Sequence, residues 1–281
     1  MNGAQPKRRI DLSVISPARD EGGNVAFLIH EVSAAVCSSG IQFEFIVVDD
    51  GSTDATDSIL SAYSRTYPWL RVVRMIRPSS DRGCGKSAAL YCGIQVAAGD
   101  FVAFIDADRQ NDPKDILSML KLLKESGADL VCGDRSGHRS DSRARRFSSF
   151  AASWFRQLAI SDGIRDSACG IQVMTRTVAE ALPLQFAGMH RYVPCYAKLA
   201  GYSVRQTAVL HHPRVAGKSK YGFYNRVTGF FTDVLVLRWM SRRLKTMRWE
   251  EVQPPLPRRS TESEASFQSQ AASYSRVADS E

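Results

Sequence analysis

The decapeptide FIDADRQNDP, residues 104 to 113, closes an apolar run with two carboxylates spaced Asp106-x-Asp108, then Gln110, Asn111, Asp112 and the helix-starting Pro113. Carboxylates crowded at the end of a buried segment repel one another and lose hydration, so something cationic must neutralise them. Carboxylates with an amide oxygen are suitable ligands for a hard divalent cation such as Mg2+ or Mn2+. A second candidate is RGCGKSAAL, 82 to 90, where Gly85-Lys86-Ser87 looks like the end of a phosphate-binding P-loop and FIDAD like an acidic strand that follows it. That spacing requires glycine at position 80, where Ser80 stands, and Asp81 would put a carboxylate where phosphate lies. A P-loop nucleotidase is therefore the weaker reading. A third candidate, GDRSGHRSDSRARRFSSF, concentrates Arg135, Arg139, Arg143, Arg145 and Arg146. Such a run is either a solvated face or a phosphate site, arginine being well suited to phosphate.

Short β-rich runs alternate with helical patterns and must position these residues. Strands are predicted at 12 to 16, 43 to 49, 70 to 76, 100 to 106 and 128 to 133, and helices at 22 to 37, 53 to 66, 85 to 97 and 113 to 125. The second helix is expected to start through Ser52-Thr53 and the last through Asp112-Pro113. Alternating β and α with near-continuous apolar strands implies an α/β fold, a mostly parallel sheet covered by helices on both faces. Ligands of such sheets bind beyond the carboxyl ends of the strands. Those ends deliver Pro17 to Glu21, Asp49 to Ser52, Asp81 to Gly83, Asp106 with Asp108, and Asp134 with Arg135, so the unusual polar residues share one rim. Singly, each is as well explained as a cap or loop residue; five strand ends that agree are not.

The chain has 281 residues, 44% of them hydrophobic, and a net charge of +8, which predicts attraction to an anion: nucleic acid, a phosphorylated metabolite or a membrane surface. A non-catalytic basic module would need aromatic platforms among its basic residues. The arginine run has none before Phe147, and that reading leaves the acidic rim unexplained. Six cysteines without a C-x-x-C pair read as reduced, cytosolic core residues. The N-terminus lacks the apolar segment of a signal peptide, and no stretch approaches the roughly 18 apolar residues of a membrane span. Residues 1 to 10 are expected to be flexible, 11 to 222 to form the main domain, 223 to 252 an amphipathic helix, and the Ser-rich stretch from 253 to 281 a disordered tail. The helix carries Phe230, Phe231, Leu235 and Trp239 with a basic end, Arg238 to Arg248, a combination suited to a membrane surface.

The stretches SPARDEGGN (16 to 24), VVDDGSTDAT (47 to 56), RGCGKSAAL (82 to 90), GDFVAFIDADRQNDP (99 to 113), GDRS (133 to 136), RDSACGIQVMTR (165 to 176) and HHPRVAGKSKYG (211 to 222) resemble, in order, glycosyltransferase family 2. The similarity is greatest to its branch of dolichol-phosphate mannosyltransferase and the polyprenyl-phosphate glycosyltransferases. The pattern departs from the family at Asp20, at Arg109, where the family has Leu, and at Ile171, where Phe is common.

The resemblance implies a nucleotide-diphospho-sugar transferase (GT-A type) fold and an inverting, metal-dependent transfer of a sugar from a nucleotide-diphosphate sugar, of GDP-mannose or UDP-hexose type, to a polyprenyl phosphate. It implies that Asp106, Asp108 and Gln110 surround a divalent cation, and that Pro17, Ala18, Glu21, Asp49 and Asp50 bind the nucleoside. Asp50 is the preferred base or ribose contact, and Asp49 either another or a structural strand-end carboxylate. By the same resemblance, Arg214 and Lys220 hold the diphosphate, and Arg135 with Arg145 or Arg146 meets the acceptor phosphate. Asp166 lies near the reaction centre, to orient sugar hydroxyls or to remove a proton. The implied setting is peripheral, on the cytosolic face of a membrane, without nucleic acid and with room for an integral-membrane partner protein. A saccharide or protein acceptor is the alternative.

Overall fold

A computed structural model describes residues 9–76, 83–135, 157, 160, 162–212 and 223–243, the last stretch with side chains from 232. The expectations for the two termini, and for Arg145, Arg146, Arg214 and Lys220, lie outside these residues. Seven strands form one sheet: β1 (Leu12–Ala18), β2 (Phe43–Asp49), β3 (Leu70–Arg74), β4 (Phe101–Phe104), β5 (Leu130–Asp134), β6 (Gln172–Thr175) and β7 (Val204–Ala208). Their order is β3-β2-β1-β4-β6-β5-β7. β6 runs antiparallel to both neighbours and the other pairings are parallel.

Side chains alternate between the two faces of each strand. Val14, Phe45, Val47, Ala103, Val131 and Val173 join one core with α1 (Val25–Val36), α2 (Thr56–Thr66) and α4 (Lys114–Ser126). Ile15, Ile46, Val48, Phe104, Cys132 and Met174 join a second with α3 (Lys86–Val96), α5 (Arg176–Ala181), α6 (Val193–Leu199) and α7 (Phe223–Arg243). Helix α3 lies close on β1 at Gly93, where a Cβ would sit 2.4 Å from Ile15 Cγ2. That contact seats the helix whose first turn enters the rim.

The predicted strand 100 to 106 stops at Phe104 and the predicted strand 70 to 76 at Arg74, whereas the first continues to Ala18. Asp106 therefore stands just past β4. Helix α2 starts at Thr56, not through Ser52-Thr53. The Ser52 hydroxyl donates to Asp49 Oδ1 and that of Thr53 to Asp20 Oδ1, so those side chains tie loops together instead of capping the helix. The Pro113 start holds: Asp112 Oδ1 accepts the Lys114 N–H at 3.0 Å just before α4. Strands β6 and β7 and the short α5 and α6 were not expected, being only four to seven residues long and without a clear period.

At the end of the sheet away from the rim, the buried Glu44 accepts from Ser13 Oγ (2.7 Å), Arg71 Nη1 and the Ala98 N–H. Burial alone would raise this carboxyl, but those bonds and the Arg71 charge outweigh it and hold it below its ordinary 4.5. A depressed carboxyl contributes stability that is present above its unfolded pKa and lost as pH falls through the folded one. Glu44→Gln is expected to cost on the order of 1–3 kcal/mol at neutral pH and to flatten the loss of stability below about pH 4.5. Urea titrations at several pH values read both; an unchanged acid limb would refute the assignment.

Candidate functional site

The loops after β1 and β2 hold each other. Backbone N–H groups of Asp20, Glu21 and Gly22 donate to Ser52 Oγ, Thr56 Oγ1 and Asp54 Oδ2 at 2.8 to 3.0 Å. Pro17 and Ala18 end β1 in register with Val48 and Asp49, and the Asp50 N–H donates to the Ala18 carbonyl. The Glu21 carboxylate turns to Asn24, whose amide donates to it at 2.7 Å. Asp49 is buried, and its Oδ1 accepts both the N–H and the hydroxyl of Ser52 (3.0 and 2.5 Å), the bonding of a structural strand-end carboxylate. Asp50, also buried, accepts the N–H groups of Cys84 (2.7 Å) and Gly85 (2.8 Å) and so fixes the entrance to α3.

That entrance brings Lys86 onto Asp106, whose Oδ1 accepts from the Lys86 ammonium. Next to it, the Ser87 hydroxyl lies 2.8 Å from His190 Nδ1 and accepts the His190 N–H at 3.1 Å. Burial, joined by the charges of Lys86 and Arg191, pushes the imidazole down to about 3 against the pull of Asp106, so it is neutral at ordinary pH. Burial would raise the Asp106 carboxyl; the Lys86 ammonium, through its charge and its hydrogen bond, and the Arg135 guanidinium hold it below the carboxylate range. Neither Lys86 nor His190 was assigned to the rim from sequence. Lys86 was visible only within RGCGKSAAL, as part of a failed P-loop spacing and of a family-like stretch with no role attached to it, and His190 carries no local signal.

Arg135, at the end of β5, makes a bidentate pair with the buried Asp166: Nε to Oδ2 at 2.7 Å and Nη2 to Oδ1 at 2.9 Å. Its own N–H also faces Oδ2, at 3.3 Å. Burial opposes the guanidinium charge, but the Asp166 carboxylate raises its pKa further, so the cation is fixed. Two residues predicted separately thus form one unit, with the Asp166 oxygens turned to the guanidinium.

After β4, Asp108 accepts the Gln110 N–H at 3.3 Å, and the Gln110 carbonyl accepts the His212 N–H at 2.8 Å. Arg109 adopts a left-handed φ of 59°, and its side chain packs on α1. Its guanidinium pairs with Glu31 and lies 4.7 Å over the Phe27 ring, both on α1. Asp106, Asp108 and Gln110 supply two carboxylates and an amide oxygen, the donor chemistry of a hard divalent cation. Next to Gln110, the buried Asn111 Oδ1 has no hydrogen-bond partner, an additional oxygen on this side of the rim. Among the described residues no three His, Cys, Asp or Glu side chains converge on one point. The donors present therefore fit a cation held by one or two carboxylates and completed by phosphate oxygens.

The chain matches the model of glycosyl transferase family 2 over residues 13–182. It is 32% identical over 240 residues to a dodecaprenyl-phosphate galacturonate synthase of Rhizobium johnstonii, covering 84% of this chain and 69% of that protein. It is 31% identical over 239 residues to an undecaprenyl-phosphate 4-deoxy-4-formamido-L-arabinose transferase of Pseudomonas paraeruginosa, covering 85% and 68%. About a third of each relative's length lies beyond the match. Among solved structures, glucosyl-3-phosphoglycerate synthase from Mycobacterium tuberculosis, in complex with Mn2+, UDP-Glc and phosphoglyceric acid, aligns with a TM-score of 0.62 at 20% identity, over 84% of this chain and 81% of that one. A mannosyltransferase from Pyrobaculum calidifontis in complex with GDP-Man and Mn2+ aligns with a TM-score of 0.58 at 19% identity, over 86% and 67%. These two likenesses establish the fold.

A Cβ on Gly170 would lie 2.3 Å from Asp106 Oδ2 and 3.0 Å from Asn111 Nδ2. Gly170→Ala must therefore displace the carboxylate or the backbone. The expected result is a destabilisation of about 1–3 kcal/mol with a loss of transfer out of proportion to it, read by thermal melting and initial rates on the same preparation. Full activity would show that Asp106 can move without consequence.

Proposed function

The chain belongs to glycosyl transferase family 2, and from that premise we propose that it moves a sugar from a nucleotide-diphosphate sugar to a polyprenyl phosphate. The observation that carries this reading is the Arg135–Asp166 pair, which fixes a cation at the end of β5 while the carboxylates and amide of the other half gather after β4. A phosphate acceptor suits the first group and a cation-bound diphosphate the second. The polyprenyl-phosphate transferases among its relatives, matched over more than four fifths of the chain, support the lipid acceptor.

The nucleoside lies across the ends of β1 and β2, with Pro17, Ala18, Glu21, Asp49 and Asp50 around it. Here Asp49 and Asp50 act largely by holding their loops in shape, since both carboxylates bind backbone N–H groups. Asp106, Asp108 and Gln110 would hold a divalent cation, Mg2+ or Mn2+, which supplies charge neutralisation for a departing diphosphate. Arg214 and Lys220 close over the diphosphate, and Arg145 or Arg146 joins Arg135 at the acceptor. Asp166 positions the Arg135 fork, a different task from orienting sugar hydroxyls or removing a proton. Arg135 retains its Nη1 edge for phosphate, because Nε and Nη2 serve Asp166.

A phosphate monoester is substantially ionised near neutral pH, so its oxygen attacks without a strong general base. Alignment and charge stabilisation then carry the rate. One displacement inverts the anomeric centre. Among the described residues no helix is long and apolar enough to cross a membrane. Helix α7 exposes Leu235, Val236 and Trp239, with the Arg243 guanidinium 5.4 Å over the Trp239 ring. This stripe suits peripheral attachment at the cytosolic face, where the lipid phosphate is presented.

Two substitutions test the division of the rim. Asp108→Ala should lower metal-dependent transfer by about a hundredfold or more while the melting temperature stays near that of the wild type; retained activity with unchanged metal affinity would remove Asp108 from the site. Arg135→Ala should weaken use of polyprenyl phosphate by roughly ten- to a hundredfold, the worth of a charge-assisted contact, with lysine rescuing only in part. Calorimetry of the nucleotide donor, paired with initial rates against lipid concentration, separates the two halves. A collapse of donor affinity with normal acceptor dependence would place Arg135 in the donor site.

A further inference from the structure

Lys86 is the first residue of α3, and its ammonium pairs with Asp106, one of the carboxylates assigned above to the cation. Both side chains are largely shielded, 26% and 29% exposed, so neither charge is readily left alone. The other carboxylates of this region are engaged: Asp50 with the N–H groups of Cys84 and Gly85, and Asp166 with Arg135. A divalent cation and an ammonium cannot both keep the same carboxylate oxygen, and the lysine stem has the freedom to move. Once displaced, the ammonium stands at the N-terminus of an 11-residue helix, itself favourable to anions.

We propose that Lys86 is an exchangeable counter-ion, which holds Asp106 in the metal-free enzyme and passes to an anionic group of the donor when a divalent cation takes that carboxylate. Before loading, Lys86 holds the carboxylate in place. Afterwards it adds positive charge where the donor's negative charge lies. The anion is either the diphosphate common to all nucleotide sugars or the carboxylate of an acidic sugar. The inference rests on the functional reading above for its second half only.

The test uses Lys86→Met and Lys86→Arg beside the wild type, with folding checked by circular dichroism and thermal melting. With Mn2+ as the sole ligand, followed by its paramagnetic resonance, Lys86→Met should bind about tenfold tighter, because a charge-assisted competitor is gone; Lys86→Arg should stay close to the wild type. With Mn2+ saturating, the same Lys86→Met protein should bind the donor about tenfold more weakly. Calorimetry with UDP, GDP and their hexose and hexuronate derivatives separates the sources: a loss for every nucleotide points to the diphosphate, and a loss confined to the hexuronates to the sugar carboxylate. Opposite signs for metal and donor are what a merely structural lysine would not give. Equal or weaker Mn2+ binding by a folded Lys86→Met, or donor binding that does not fall, overturns the proposal. If no nucleotide binds the wild type, the functional reading and the second half fall together, while Mn2+ alone still decides the competition at Asp106.

Discussion

A carboxylate set at the end of a sheet strand and packed against the backbone has to be met by positive charge, and the rim is arranged around that requirement at Asp106. Its Oδ2 faces Gly170, where no side chain could stand, and its Oδ1 takes the Lys86 ammonium. The fixed guanidinium of Arg135 adds a longer-range contribution, and the neutral His190 adds no competing charge. Burial of the acid and its retention as an anion are compatible only because these segments meet there.

What brings them together is the packing of α3 on the sheet. Gly93 lets the helix lie against β1, and Asp50 binds the two N–H groups that precede its first turn. Lys86 and Ser87 are thereby fixed toward Asp106 and His190 respectively. The carboxylate at the end of β2 and the one after β4 are coupled through a single helix entrance. A change at the end of β2 would thus be felt at the carboxylates after β4.

The antiparallel β6 does the same for the part of the rim at the end of β5. By standing between β4 and β5 it carries the turn containing Asp166, Cys169 and Gly170 to the rim, with Gly170 on the Asp106 side and Asp166 on the Arg135 side. Burial pushes the Cys169 thiol up to about 11 and the Cys132 thiol to about 12, so the cysteines of this region are packing groups. Among the described residues all six cysteines are free.

The α/β alternation, the rim and the Asp106-x-Asp108 cluster were legible in the sequence, because strand apolarity, helix period and turn residues act over a few neighbours. Family motifs supplied the names of the candidate site residues, Asp166 and Arg135 among them. Their pairing was not legible, nor was that of Lys86 with Asp106 or Ser87 with His190, partners 31, 20 and 103 residues apart. Arg109 shows the same limit within a motif: its neighbours place it among site residues, yet its backbone conformation sends the side chain to Phe27 and Glu31 on α1. Local periodicity fixes which residues reach the end of a strand. Which of them then touch depends on strand order and helix seating, and these are settled only when the whole sheet packs.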